Sequence, residues 1–114
     1  MAKNKITFEK FLDLTSQIEI TLGTIEVVER VPKSNKMLRL EVNFGEGPLV
    51  QVLTNIGDKL QPIQLYNKQF PFVTNVEPAK IMGLDSFAVI VIPTAKNGSI
   101  DVSYIMPANG STLL

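Results

Sequence analysis

The polar side chains best placed to do chemistry fall in one segment, Asn75-Val76-Glu77-Pro78-Ala79-Lys80-Ile81-Met82-Gly83-Leu84-Asp85-Ser86, set between two apolar stretches. The Asn75 amide can pair with a nucleotide edge or a sugar, and the Ser86 hydroxyl can donate to phosphate or ribose. Each also has a plain structural reading: an Asn that ends a strand by bonding turn backbone, and a serine that closes a loop on itself. Lys80, taken alone, is a solvated surface lysine. Pro78 and Gly83 supply geometry rather than contact, the first fixing φ and the second permitting a tight or positive-φ turn. A second group of cations, Arg30, Lys33, Lys36 and Arg39, has only Glu29 among it. Such a local excess beside a groove attracts a phosphate backbone even on a neutral protein, although solvated turn charge is the equally ordinary alternative.

What the chain lacks narrows the chemistry further. It has no cysteine and no histidine, hence no thiol nucleophile, no imidazole base and no ordinary zinc site. No carboxylate pair or activated nucleophile stands out, so the expectation is a protein that is not an enzyme and needs no cofactor or metal. Eleven basic residues balance eleven acidic ones, and bulk charge predicts neither strong nucleic-acid attraction nor steering of acidic substrates. The N-terminal residues are charged and interrupted by Glu9 and Asp13, which denies a signal peptide its apolar core. The longest apolar run, Phe87 to Pro93, is far short of the roughly twenty residues of a membrane-spanning helix. A cytoplasmic protein without membrane attachment is expected.

The elements that must position these residues follow from periodicity. At 114 residues the chain is read as one domain. Thr7 caps a short helix over 7–14, with Phe8, Phe11, Leu12 and Leu14 on one side, covering a barrel end. From Ile18 the period becomes two, giving a long first strand through Val31 that bends near Gly23, because a glycine within a strand often marks a bulge or tight bend. Leu38 to Phe44 alternate as a second strand, and Leu49 to Thr54 form a third. A short helical connection spans Gln61 to Asn67. Phe70–Thr74 and Phe87–Ile92 are the fourth and fifth strands, with the segment Asn75–Ser86 as the loop between them. Asn97-Gly98 then turns the chain into an appended strand at Ile100–Ile105. The expected architecture is all-β with short helices: a five-stranded OB-fold barrel over about 18–93, with C-terminal extension strands over about 94–114. Phe44, Phe70, Phe72 and Phe87 are assigned to the core, while Tyr66 and Tyr104 tolerate exposure. So few free aromatics argue against binding single strands by stacking; shape-specific recognition of a folded RNA fits better.

The segment Asn75–Ser86 resembles the signature of the tRNA-binding domain family, roughly Asn-Leu-x-Pro-Ala-Lys-Met-Arg-Gly-x-x-Ser, with Asn75, Pro78, Ala79, Lys80, Gly83 and Ser86 in register. Glu19-Ile20-Thr21-Leu22-Gly23, Pro32-Lys33-Ser34-Asn35-Lys36-Met37-Leu38 and Val42-Asn43-Phe44-Gly45 are similar to three further family segments in the same order. The chain departs from the pattern at Thr21 and Met82, where the family has Arg, and at Ala88-Val89, where Gly-Met is common; Asn35, Asn43 and Thr54-Asn55 also differ. The family includes the C-terminal domain of methionyl-tRNA synthetase, stand-alone tRNA-binding proteins and CsaA-type export chaperones.

The resemblance implies a non-catalytic tRNA-binding module, a stand-alone relative of that synthetase domain, holding tRNA by shape and backbone contacts at its outer corner. It makes Lys36 and Lys80 phosphate contacts and Asn75 and Ser86 loop contacts. It implies a homodimer joined through the C-terminal extension and an aminoacyl-tRNA synthetase as a partner. The two missing arginines and the absent Gly-Met keep a CsaA-type peptide-binding chaperone, with an apolar groove in place of the RNA surface, as the alternative.

Overall fold

The computed structural model of the chain describes residues 3–92 and 109–110. Its first element is helix α1 (Phe8–Thr15). The Thr7 hydroxyl accepts a hydrogen bond from the Lys10 amide at 3.1 Å, satisfying one of the donors that a helix start leaves open. The Ser16 hydroxyl donates to the Asp13 carbonyl at 2.8 Å. The sequence led us to expect this helix to cover a barrel end, but none of its residues is buried. Phe8 is 84% exposed, and Phe11, Leu12 and Leu14 are exposed with it. The apolar side is real, but among the described residues it meets no core.

Among the described residues seven strands follow: β1 (Ile20–Arg30), β2 (Leu38–Asn43), β3 (Val50–Thr54), β4 (Gln69–Val73), β5 (Ala79–Ile81), β6 (Leu84–Ser86) and β7 (Val89–Ile90). A single 3-10 turn at Pro62–Gln64 joins β3 to β4. Five strands form one antiparallel sheet in the order β3-β2-β1-β4-β7, and β5 and β6 form a separate hairpin. The long β1 makes the sheet curl. Its first half, Ile20 to Thr24, pairs with β4, and Thr24 to Arg30 pair with β2. The result is a nearly closed five-stranded barrel of the OB type.

The irregularity of β1 lies between Ile25 and Val27, where the register with β2 shifts, close to Gly23 and just past Thr24, where β1 passes from β4 to β2. Gly23 answers a further need. A Cβ there would sit 2.5 Å from Val42 Cγ1 and 2.7 Å from the Phe44 ring, so glycine lets β2 and its neighbour close over β1. The core they enclose contains Leu22, Ile25, Leu38, Leu40, Val42, Val52, Leu65, Phe70 and Phe72, all fully buried. Each such side chain contributes about 1.5–3 kcal/mol of transfer free energy. Phe44 packs edge-on against Phe72, ring centres 5.4 Å apart. Phe87 departs from its expected place in the core: it is 44% exposed.

The fifth strand is also shorter than its apolar run suggests. Val89 and Ile90 form the ladder with β4, and the Val91 amide adds one hydrogen bond to the Pro71 carbonyl at 2.8 Å. Upstream, the Phe87 amide donates instead to the Gln51 carbonyl on β3 at 3.0 Å. The run therefore bridges two edges of the sheet instead of lying along one. Further on, Asn109 and Gly110 return to the barrel. The Gly110 amide donates to the Leu22 carbonyl at 2.9 Å, and the Asn109 side-chain oxygen accepts from Thr24 Oγ1 at 2.8 Å and Gln69 Nε2 at 2.6 Å. The extension strand expected at Ile100–Ile105 and its turn at Asn97-Gly98 lie outside the described residues.

Candidate nucleic-acid interface

The segment Asn75–Ser86 is a loop only in part. Its second half folds into the β5–β6 hairpin, with Ala79 opposite Ser86, Lys80 opposite Asp85 and Ile81 opposite Leu84. The two residues at the tip, Met82 and Gly83, have φ of 52° and 81°. Positive φ at both central positions is the geometry that lets a two-residue turn follow the twist of its strands. Gly83 adopts it freely, whereas Met82 does so against the preference of an L side chain. The X-Gly pair between short alternating arms was a legible signal, obscured because three-residue strands show too little period and Met replaces the usual Asn or Asp.

Alternation along the hairpin separates its two faces. Ala79, Ile81 and Ser86 line a cleft of about 580 Å³ against β3 and β7, together with apolar groups such as Leu53, Ile56, Ala88 and Ile90. Lys80 and Asp85 project from the opposite face. Met37, next to Lys36, also lines the cleft, so both singled-out lysines stem from backbone that borders it. The two segments are the β1–β2 connection and the long connection before β7, brought to one side of the barrel by the sheet order.

Asn75 and Ser86 fasten this segment to the barrel. The Asn75 side-chain oxygen accepts from the Glu19 amide at 2.8 Å, and its NH2 donates to the Gln17 carbonyl at 2.8 Å. The amide thus ties the segment to the chain entering β1, fifty-six positions away, rather than to its own turn. Ser86 is 5% exposed. Its hydroxyl accepts from the Leu53 amide at 2.9 Å and donates to the Ala88 carbonyl at 3.1 Å. Both functional groups, read from sequence as candidates for touching RNA, are engaged within the fold.

The cations divide in the same way. Arg39, at 20% side-chain exposure, binds Glu29 Oε1 through Nε at 2.6 Å and Glu41 Oε2 through Nη2 at 2.8 Å. Its Nη1 donates to Gln51 Oε1 at 3.1 Å. The hydrogen bonds to Glu29 and then Glu41 raise its pKa above the ordinary arginine value, outweighing partial desolvation. Arg30 donates to the Gly57 carbonyl at 2.8 Å, and the Gly57 amide donates to the Lys36 carbonyl at 2.7 Å. A Cβ on Gly57 would lie 2.8 Å from that carbonyl oxygen, so a glycine lets the two turns close. Lys33, with φ of 68°, and Lys36 are exposed, and neither makes an ion pair among the described residues. Lys80 is 68% exposed, with its ammonium 3.2 Å from Asp85. Of the four cations around the first turn, the structure pairs Arg39 with carboxylates, ties the exposed Arg30 to the Gly57 carbonyl and leaves Lys33 and Lys36 presented, with Lys80 on the hairpin. Glu41, the acid that occupies Arg39 from within β2, lies just beyond that cluster in the chain.

No helix among the described residues is long and apolar enough to cross a membrane.

Comparison with known proteins bears on the family and the barrel. Residues 20–110 match the family model described as "Putative tRNA binding domain". The methionine–tRNA ligase of Methanococcoides burtonii is 36% identical over 89 residues, 78% of this chain and 12% of that protein. The methionine–tRNA ligase of Porphyromonas gingivalis is 36% identical over 103 residues, covering 90% of this chain and 14% of the ligase. The chain thus spans only a small part of the length of these relatives. Among solved structures, a MetRS related protein from Pyrococcus horikoshii superposes with a TM-score of 0.80 at 21% identity, over 98% of this chain and all of that one. The chaperone CsaA from Bacillus anthracis superposes with a TM-score of 0.73 at 24% identity, over 97% of this chain and all of its own. At these identities the two structures support the barrel fold.

Proposed function

The chain belongs to the tRNA-binding domain family, and from that membership we propose that it is a non-catalytic module that binds tRNA by shape and backbone contacts. The observation that carries this reading is the family match over residues 20–110, which takes in the whole barrel and the hairpin. Lys80 and Lys36 are the proposed phosphate contacts, since both are exposed at segments bordering the same cleft. Asn75 and Ser86 act through the scaffold, holding the hairpin where Lys80 can reach a ligand. Few contacts of this kind suit a folded RNA recognised by its backbone.

The same reading places the protein in the cytoplasm as a homodimer, serving an aminoacyl-tRNA synthetase. The uncovered apolar side of α1, with Phe8, Phe11 and Leu12 exposed, supports self-association, because a stripe of this kind is stabilised by burial. Of the C-terminal extension expected to join the protomers, only Asn109 and Gly110 are among the described residues, and both bond their own barrel. Sedimentation at micromolar concentration checks the dimer; a monomer throughout would count against the assembly.

Fluorescence titration with total tRNA at low and moderate salt tests the central reading. Binding that weakens as salt rises is expected, since each phosphate contact releases condensed counterions. Absence of salt-sensitive binding sinks it.

One observation favours a second reading, a peptide-binding chaperone of the CsaA type: the cleft beside the hairpin is mostly apolar, lined by Leu53, Ile56, Ile81 and Ile90. Protection of an unfolded client from aggregation, without tRNA binding, would select it.

A further inference from the structure

All three ion pairs among the described residues involve a cation that the sequence makes available to a nucleic acid: Arg39 twice and Lys80 once. The two cases differ in what the acid does. Arg39 is largely covered and holds three acceptors at once, so releasing one carboxylate would expose little of it to a phosphate. Lys80 is 68% exposed and has a single acidic partner. That partner is fixed in place. Asp85 is the residue directly opposite Lys80 in the hairpin, and its carbonyl accepts a hydrogen bond from Gln51 Nε2 at 2.8 Å. Gln51 in turn is held by Arg39.

Resting on the reading of Lys80 as a phosphate contact, we propose that Asp85 is an internal competitor for the Lys80 ammonium, which limits the affinity of this surface for RNA and thereby sets its selectivity. A phosphate reaching Lys80 comes within a Debye length, about 8–10 Å, of the Asp85 carboxylate and is repelled by it. The bound state must therefore either displace the pair or tolerate two anions around one cation. A weak, nonspecific polyanion contact gains too little there, whereas a folded RNA held at several points overcomes the competition. Asp85 itself donates nothing to RNA; its role is to weaken.

The test is a double-mutant cycle read by tRNA titration at low and moderate salt. Asp85→Asn is expected to tighten binding about threefold at low salt, the size of a surface ion-pair effect, with the gain shrinking as salt rises. In a Lys80→Ala background the same substitution should change affinity by less than about 1.5-fold, since the competition then has no object. Glu29→Gln removes the same charge from the Arg39 cluster and serves as the charge-matched control, expected to tighten binding less than Asp85→Asn does. A gain in affinity cannot come from damage to the fold. Asp85→Asn binding no tighter than the parent, a gain that persists in Lys80→Ala, or an equal gain from Glu29→Gln would each overturn the proposal while leaving tRNA binding intact. A parent that binds no tRNA would overturn the functional reading and this proposal with it.

Discussion

The two ends of the signature segment and its middle do opposite work. At the ends, Asn75 bonds Gln17 and Glu19 and Ser86 bonds Leu53 and Ala88 from inside the fold. In the middle, Lys80 and Met82 stand in solvent on a hairpin two residues wide at its tip. The same residue types, a polar amide, a hydroxyl and an ammonium, thus divide into fasteners and a presented group. The comparison teaches that a motif can specify a site by building its support as well as by touching the ligand, and that fasteners and contacts should fail differently when changed.

The largest effect should come from Ser86→Ala. It leaves the buried Leu53 amide and Ala88 carbonyl without their hydroxyl partner, at a cost of about 1–3 kcal/mol. For a domain of this size that lowers the melting temperature by roughly 4 °C per kcal/mol. A melt unchanged from the parent would break the assignment of Ser86 as a fastener. Asn75→Ala removes two hydrogen bonds at a more solvated junction and should cost about 1–2 kcal/mol. Faster amide exchange at Glu19, the donor to Asn75 Oδ1, would locate the damage where the side chain was bound.

Lys80→Ala should behave in the contrary way. Its exposed ion pair contributes no more than about 1 kcal/mol, so the melt should barely move. Its tRNA affinity should fall, and the slope of log affinity against log salt should flatten by about 0.7–0.9, the change for one phosphate that the protein no longer neutralises. If stability drops instead while the salt slope is kept, Lys80 is a fastener and the division between support and contact fails. The smallest effect is expected at the tip. Met82→Asn places a residue that tolerates positive φ where Met now does so at a cost, and should raise stability by a few tenths of a kcal/mol, within about 1 kcal/mol. Denaturant unfolding with unchanged m-value would show it.

Much of the barrel was readable along the chain. The alternation of Leu38, Leu40 and Val42 became an alternation of buried residues in β2, because a strand with one face on a core has a period of two. Thr7 announced its helix through its hydroxyl. Gly23 sits close to the β1 irregularity and also permits the close approach of Val42 and Phe44; glycine in a strand signals either, and local sequence cannot distinguish them. Phe87 misled because an aromatic in an apolar run looks buried until it is known that the run crosses between β3 and β4. The apolar side of α1 was equally visible, but whether a stripe is covered depends on what lies opposite it.

The candidate site was legible as a set of residues and much less as a set of roles. Residue type and spacing brought out Asn75, Gly83 and Ser86, whereas Lys80 stood out from other surface lysines only through the family resemblance. The cations at Arg30 and Arg39 could not be sorted from those at Lys33 and Lys36, because the Gly57 carbonyl, Glu29 and Gln51 are brought to them by the fold; only Glu41, two residues along the same strand, was set by spacing.

By itself the sequence determined the main barrel strands, the capped helix and the glycine-dependent turn, which follow from periodicity and local backbone preference, and it carried the family signature in the types and order of particular residues. Only the tertiary structure decided which polar groups face inward and which remain available. That choice rests on pairings between strands and segments: Ser86 with Leu53, Asn75 with Glu19, Arg39 with Glu29, and Lys80 with Asp85. A hydrogen-bonding group is used by the partner that reaches it, and in this barrel the fastening partners come from distant parts of the chain.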